Sequence, residues 1–268
     1  MSPPLITDQE FGQFQRFIFE AAGITLSSSK KALVSGRLAK RLAHHKLDSY
    51  SAYFRLLGSR EKSDEVQIAV DLLTTNETYF FREPAHFDFL RTRALEAVGR
   101  GQPFRVWSAA SSTGEEAYSI AMVLADSLGT TPWEVFGSDI SSSVLVGARS
   151  GHYSMQRTDN IPQAYLARYC LKGGGEHAGT LLIDRAIRNK VRFAQVNLND
   201  RLPEMGLFDV IFLRNVMIYF SDDTKRDVVA RVLSKLKPGG HFCIGHSESL
   251  NDITTAVETL SPSVYRKP

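Results

Sequence analysis

Residues 107–119 read WSAASSTGEEAYS. A β-type run ends at Trp107, gives way to small residues, reaches Gly114 and meets two acids where a helical pattern begins. Glycine lets backbone approach a ligand closely, and the first turn of a helix offers unpaired N–H groups. A dinucleotide fold turns those groups on pyrophosphate, normally through G-x-G-x-x-G. Here there is one glycine, and Glu115 and Glu116 would repel phosphate. They suit a ligand that carries hydroxyls or positive charge. A second carboxylate site follows in Gly137-Ser-Asp139, 25 residues beyond Gly114. An acid at the end of a second strand can accept both hydroxyls of a ribose.

A ribose without pyrophosphate, bound among acids, describes S-adenosylmethionine, which joins an adenosine, a sulfonium cation and an amino-acid end. A second reading stands beside it: the same acids cap and solvate helix starts. The loop alone does not choose between them.

Those residues need a frame that brings strand ends together. Four β-rich runs, 104–110, 133–140, 191–198 and 208–216, alternate with helical stretches, and a fifth, 241–245, follows a K-P-G-G break at 237–240. Such alternation predicts a parallel sheet covered by helices. The run Val210-Ile-Phe-Leu213 is wholly apolar, as a strand buried on both faces should be. Residues 172–192 carry three glycines at 173–175 and then alternate, which reads as a small antiparallel insertion. The chain before residue 75 is helical in pattern. Phe11, Phe14, Phe17 and Ile18 form one stripe, with Asp8 as its expected cap and Gly23 as its end. Val34, Leu38 and Leu42 form a second stripe on a helix introduced by 27–29, and further helices are expected near 50–57 and 64–73. Residues 75–99 read as a connection that reaches the site.

Composition excludes several classes. With 268 residues, 43% hydrophobic and 23% charged, the chain is of ordinary globular composition. Two cysteines without C-x-x-C spacing argue against a metal knot or a disulfide scaffold, and no metal is expected. Neither a signal peptide nor a membrane-spanning run is expected, so the sequence reads as cytoplasmic, without membrane insertion.

The stretches LLTTNETYFFRE (72–83), RVWSAASSTGEEAYSIA (105–121), FGSDI (136–140), ARSGHY (148–153), VNL (196–198), FDVIFLRNVMIYF (208–220), LKPGG (236–240) and IGHSESL (244–250) occur in order. In these the sequence resembles the bacterial chemotaxis receptor glutamate O-methyltransferases, the CheR-type family. The resemblance implies an α/β fold: a small N-terminal helical domain (1–74), a linker (75–99) contributing to the cofactor site, and a doubly wound, Rossmann-like class I S-adenosylmethionine-dependent methyltransferase domain (100–268) carrying the β insertion. It also implies roles. Asn76, Thr78 and Arg82 would reach over the cofactor, with Arg82 nearest the transferred methyl. Glu116 would bind near the methionyl amino group, Asp139 the ribose, and Asn197 and Leu198 the adenine. Asn215 and Val216 would form part of the floor, and Tyr219 would face the reacting centre. Gly114 would let the backbone approach. Ser111, Ala117 and Ser141 depart from the family's usual cysteine or alanine, proline and aspartate; Ser141 touches only a secondary cofactor contact.

The implied acceptor, a glutamate side chain, has an ordinary pKa of about 4.3 and is already an anion near neutrality. No general base is required. Catalysis then rests on positioning and desolvation, with Arg82 as a positioner and Tyr219 as a wall and hydrogen-bond donor.

The second helix carries Lys30, Arg37, Lys40, Arg41, His44, His45 and Lys46, and no acid occurs between Glu20 and Asp48. Three readings apply: a solvated face, contact with nucleic acid, or docking of an acidic helical partner. The resemblance favours the third, with Lys30, Arg37, Lys40 and Arg41 meeting the receptor's cytoplasmic coiled coil. In some members of that family the β insertion takes a receptor C-terminal pentapeptide, which would add as a strand; the resemblance leans to this here, beside the reading of a plain surface hairpin, and a regulatory protein is a further partner class. Two alternatives remain. One is a nucleic-acid methyltransferase, against which stands the absence of proline in Arg214-Asn-Val-Met-Ile-Tyr219. The other is a non-catalytic cofactor-binding signalling module.

Overall fold

The computed structural model describes residues 4–59 and 63–268; residues 1–3 and 60–62 of the span read as helical lie outside them. Helix α1 (Asp8–Ala22) is capped by Thr7 rather than Asp8. The Thr7 hydroxyl accepts the Glu10 N–H at 3.2 Å, and the Glu10 carboxylate accepts the Thr7 N–H at 2.9 Å. This is the reciprocal Thr-x-x-Glu box. Asp8 is the first helical residue and pairs with Lys31 at 2.6 Å. Gly23, left-handed at φ 71°, closes the helix. Helices α2 (Lys31–His44), α3 (Tyr50–Leu57) and α4 (Ser63–Leu73) pack with α1 around Phe14, Ile18, Val34, Leu38, Leu42, Tyr50 and Tyr53.

The basic residues at the start of and along α2 divide into two kinds of cation. Lys30 and Lys40 are exposed. Arg41 instead forks onto buried Glu65 at 2.7 and 2.6 Å, where Tyr53 Oη (2.7 Å) and His45 Nε2 (3.0 Å) also converge. Arg37 donates to the Thr74 carbonyl at 2.7 Å. Reversing Arg41 would therefore strike the helical core as well as any docking face. Burial alone would raise the Glu65 pKa, but the hydrogen bonds from Arg41, Tyr53 and His45 outweigh it and hold the carboxyl at about 2. A carboxylate depressed in the folded state contributes stability above its unfolded pKa and loses it as pH falls. We expect acid unfolding to begin below about pH 5 and to draw on this group down to about pH 2. In Arg41→Ala that acid-labile part shrinks by about 2 kcal/mol, measurable as urea midpoints across the acid range.

The second part is a seven-stranded sheet in the order β6-β2-β1-β7-β8-β10-β9. Its strands are β1 (Phe104–Ser108), β2 (Trp133–Asp139), β6 (Val191–Gln195), β7 (Phe208–Leu213), β8 (Leu236–Ile244), β9 (Glu258–Ser261) and β10 (Val264–Arg266). The first five in this order are parallel, as expected, and their helices α6 (Glu115–Leu128), α7 (Ser142–Ser150) and α10 (Asp222–Leu233) cover the faces. β10 and β9 run antiparallel and make the sheet mixed. They were not read from the sequence. The K-P-G-G segment, expected as a break, lies inside β8 and accompanies a register shift between Phe208 and Val210.

The insertion starts earlier than expected. β3 (His152–Ser154), β5 (Thr180–Ile183) and β4 (Cys170–Lys172) form a separate antiparallel sheet, with helix α8 (Gln163–Tyr169) between β3 and β4. The expected connection holds a full helix, α5 (Ala85–Glu96), whose His86, Phe87, Leu90 and Ala94 are buried. It packs against α6.

Candidate active site

The carboxyl ends of β1, β2, β6 and β7 open onto one cleft of about 910 Å³, its mouth included. This is where an α/β sheet places its ligands. Ala109, Ala110 and Ser112 line it after β1, Asp139 and Ile140 after β2, and Val196 to Leu198 after β6. Segment 74–79 and Arg82 lie across it, and Ala22 and Ile24 from the end of the helical layer complete one wall. Asn76, Thr78, Arg82, Glu116, Asp139, Asn197, Leu198, Asn215, Val216 and Tyr219 therefore share a single cavity. Gly114 is not among its lining residues. At φ 96° it turns the chain into α6, and a Cβ there would meet Ala148 Cβ and Tyr153 Oη at 3.0 Å. Its role in this structure is close packing against α7 and β3.

The two adjacent acids separate, because successive helical residues point about 100° apart. Glu115 turns away, is fully buried, and pairs with Arg157 at 2.7 Å. Glu116 faces the cleft. Its carboxylate accepts from Ser108 Oγ and Arg214 Nη1, both at 2.8 Å. Burial raises the Glu116 pKa against the opposing pull of Arg214.

Arg214 was not read as a site residue, although a charge closing the apolar strand β7 has to find partners. Its side chain is 1% exposed and also binds Glu83 at 3.0 Å and the Arg82 carbonyl. It ties the connecting segment to the start of α6. Glu248 was also missed. Its carboxylate accepts the N–H groups of Asn215, Met217 and Gly245 at 2.9, 2.8 and 2.7 Å, and so fixes the loop after β7. Nothing local in the sequence marks it, since its partners are backbone.

Asp139 accepts the N–H of Ser112 at 2.9 Å through one oxygen and that of Ser141 at 2.9 Å through the other. A carboxylate has about four acceptor sites, so two remain for hydroxyls. Burial raises its pKa. Asn197 is less free. Its amide donates to the Ala21 carbonyl and to Asp200, both at 2.8 Å, and its oxygen accepts the Asn199 N–H. It shapes the cleft as a fixed wall. Arg82 lies over the Tyr79 ring, 5.6 Å from its centroid, and donates to the Glu77 carbonyl at 3.3 Å. Phe81, Glu83, Ser112 and Asn215 have positive φ values of 54°, 59°, 48° and 57°. Such non-glycine strain persists where surroundings over-determine it, and it gathers at functional sites.

Arg157 reaches this assembly from the insertion. Besides Glu115 it touches the Thr78 carbonyl at 3.3 Å, while Tyr153 Oη donates to the Thr113 carbonyl at 2.8 Å. Arg157→Ala would leave buried Glu115 without its cationic partner, holding only the Thr113 hydroxyl at 2.6 Å. We expect it to lower unfolding stability by about 2 kcal/mol and to speed amide exchange in 76–82, with Arg157→Lys restoring part of both. Unchanged exchange would show that the insertion does not brace the segment.

Residues 9–74 match the family model described as CheR methyltransferase, all-alpha domain, and residues 76–265 match CheR methyltransferase, SAM binding domain. The chain belongs to the CheR methyltransferase family. The chemotaxis protein methyltransferase of Escherichia coli (strain K12) is 41% identical over 97% of this chain and 91% of its own length. That of Salmonella typhimurium is 40% identical over 97% and 90%. Chemotaxis protein methyltransferase 2 of Pseudomonas aeruginosa is 39% identical over 97% and 93%. The chain is an S-adenosylmethionine-dependent methyltransferase of chemotaxis. No helix among the described residues is long and apolar enough to cross a membrane.

Proposed function

We propose that this CheR-family protein methylates glutamate side chains of methyl-accepting chemotaxis receptors, forming methyl esters in the cytoplasm at receptor arrays. The observation that carries this reading is the convergence of two carboxylates, half-buried Glu116 and buried Asp139, on one cleft whose other walls are largely apolar. That donor set fits a cationic nucleoside: Asp139 retains lone pairs for ribose hydroxyls, and Glu116, anchored by Arg214, faces the ammonium end. S-adenosylmethionine, when bound, supplies a methyl group activated by its sulfonium. The chain's own residues bind and orient. Leu198, Val196 and Ile140 exclude water, Glu248 holds the backbone of Asn215 and Met217 on either side of Val216, and Arg82 and Tyr219 border the opening. An acceptor glutamate is ionised near neutrality, so no lining residue has to remove a proton. Arg82 directs the acceptor by charge while Tyr79 holds the guanidinium from below.

Docking is assigned to Lys30 and Lys40, with Arg37 and Arg41 serving more as internal braces. The exposed strand β4 of the insertion offers an edge for a receptor C-terminal pentapeptide, and the same surfaces suit a regulatory protein. The test uses methyl-labelled cofactor with receptor-containing membranes and, separately, total RNA. Volatile methanol released by mild alkali from the membranes alone is the expected result. Alkali-stable label in RNA would overturn the acceptor, and no label in either would leave only a binding module.

A further inference from the structure

On the far side of Arg214 from Glu116, we infer that Glu83, His86 and His246 form a divalent-cation site of the zinc class. One ligand atom from each lies within 4.8 Å of the others. His86 Nδ1 stands 3.4 Å from Glu83 Oε2, and His246 Nε2 stands 3.8 Å from the same oxygen. Ligands around a tetrahedral zinc at 2.0–2.1 Å sit roughly 3.3 Å apart, so small side-chain rotations close the set.

The hydrogen bonds beyond these three residues fix the argument. The Ser263 hydroxyl donates to the Pro262 carbonyl at 2.6 Å. Its proton is thus committed, and the 2.8 Å contact between Ser263 Oγ and His86 Nε2 needs the imidazole as donor. In the neutral ring Nδ1 then bears a lone pair. That atom is buried, has no hydrogen-bond partner, and points toward a carboxylate. A buried nitrogen lone pair facing a carboxylate oxygen at 3.4 Å leaves a place for a cation between them, beside the Arg214, Asn215 and His246 N–H groups that already donate to that carboxylate. A histidine whose outer N–H is anchored by an oxygen is also the usual arrangement of a metal ligand. His246, 53% exposed, gives an entry path, and three protein ligands leave a position open for water.

Charge does not forbid the ion. Arg214 also binds Glu83 Oε2, at 3.0 Å, but it is shared with Glu116, so two carboxylates face one guanidinium. Imidazole and carboxylate together favour zinc, copper or nickel over magnesium.

The intact protein is titrated with Zn²⁺ in competition with a chromophoric chelator, and with Co²⁺ followed by its visible absorption. We expect one ion per chain, no displacement by Mg²⁺, and a loss of more than about tenfold in affinity in His246→Ala, beyond the lower end of what outer partners contribute. His177→Ala, which disrupts the separate His152/His177 pair, should leave that affinity unchanged. Absence of binding, or Zn²⁺ affinity equal in wild type and His246→Ala, would overturn the site.

Discussion

Arg214→Met is expected to lower unfolding stability by about 3–5 kcal/mol and to abolish measurable binding of S-adenosylmethionine. Removing one member of a buried ion-pair set strands the charges it served. Here it strands two, Glu83 and Glu116, and releases the Arg82 carbonyl as well. The methionine stem keeps most of the packing against Phe87 and Phe212, which lie under the guanidinium at 5.8 and 5.9 Å. The loss therefore reports charge rather than volume. Urea unfolding measures the first effect and calorimetry the second. A variant that remains stable yet fails to bind would place Arg214 purely in the cofactor's service. A variant that binds normally would sink the assignment of Glu116, which has no other cationic partner among the described residues.

Asp139→Ala should leave the sheet intact and weaken S-adenosylmethionine binding at least about a hundredfold. In the proposed ribose contact, two charge-assisted hydrogen bonds would contribute about 1.5–3 kcal/mol each, and 1.4 kcal/mol is tenfold in affinity. A pH dependence follows from the same group. Burial raises the pKa of Asp139 and of Glu116 in the free protein, while a cationic ligand favours their ionised forms. Affinity should therefore fall as pH drops through these elevated values and level off above them. Asp139→Asn should flatten part of that fall. Identical pH profiles for wild type and Asp139→Asn would remove the acid from the ligand's contacts.

Much of this was legible in the chain. The apolar run 210–213 could only be a buried strand, and the helical stripes of Phe11 to Ile18 and Val34 to Leu42 face the core of the helical layer. Ten of the residues expected at the site reached one cleft because they lie at or just beyond strand ends, in the first turn of α6, or in the segment before α5, where topology leaves little choice. The misses have physical causes. β9 and β10 are four and three residues long, too short for alternation to show. The cap of α1 went to Thr7 because a Thr-x-x-Glu box satisfies two donors where Asp8 satisfies one; that signal was present in the sequence. Helix α5 hid because its buried face begins with His86, a polar type. Arg41 looked like docking charge, since its partner Glu65 lies 24 residues away on another helix. Glu248 was invisible because it serves backbone groups.

The wall made by the end of α1 carries a further meaning. Ile24 bridges to Phe220, the Thr25 N–H donates to the Tyr219 carbonyl at 2.8 Å, and Asn197 holds Ala21. The helical layer is thus one jaw of the cleft and the sheet the other. A ligand filling the cleft clamps both jaws, and opening the cleft on that side means parting these three contacts. By thermodynamic reciprocity, whatever docks on the helical layer and shifts that jaw must change cofactor affinity by the same factor that the cofactor changes docking.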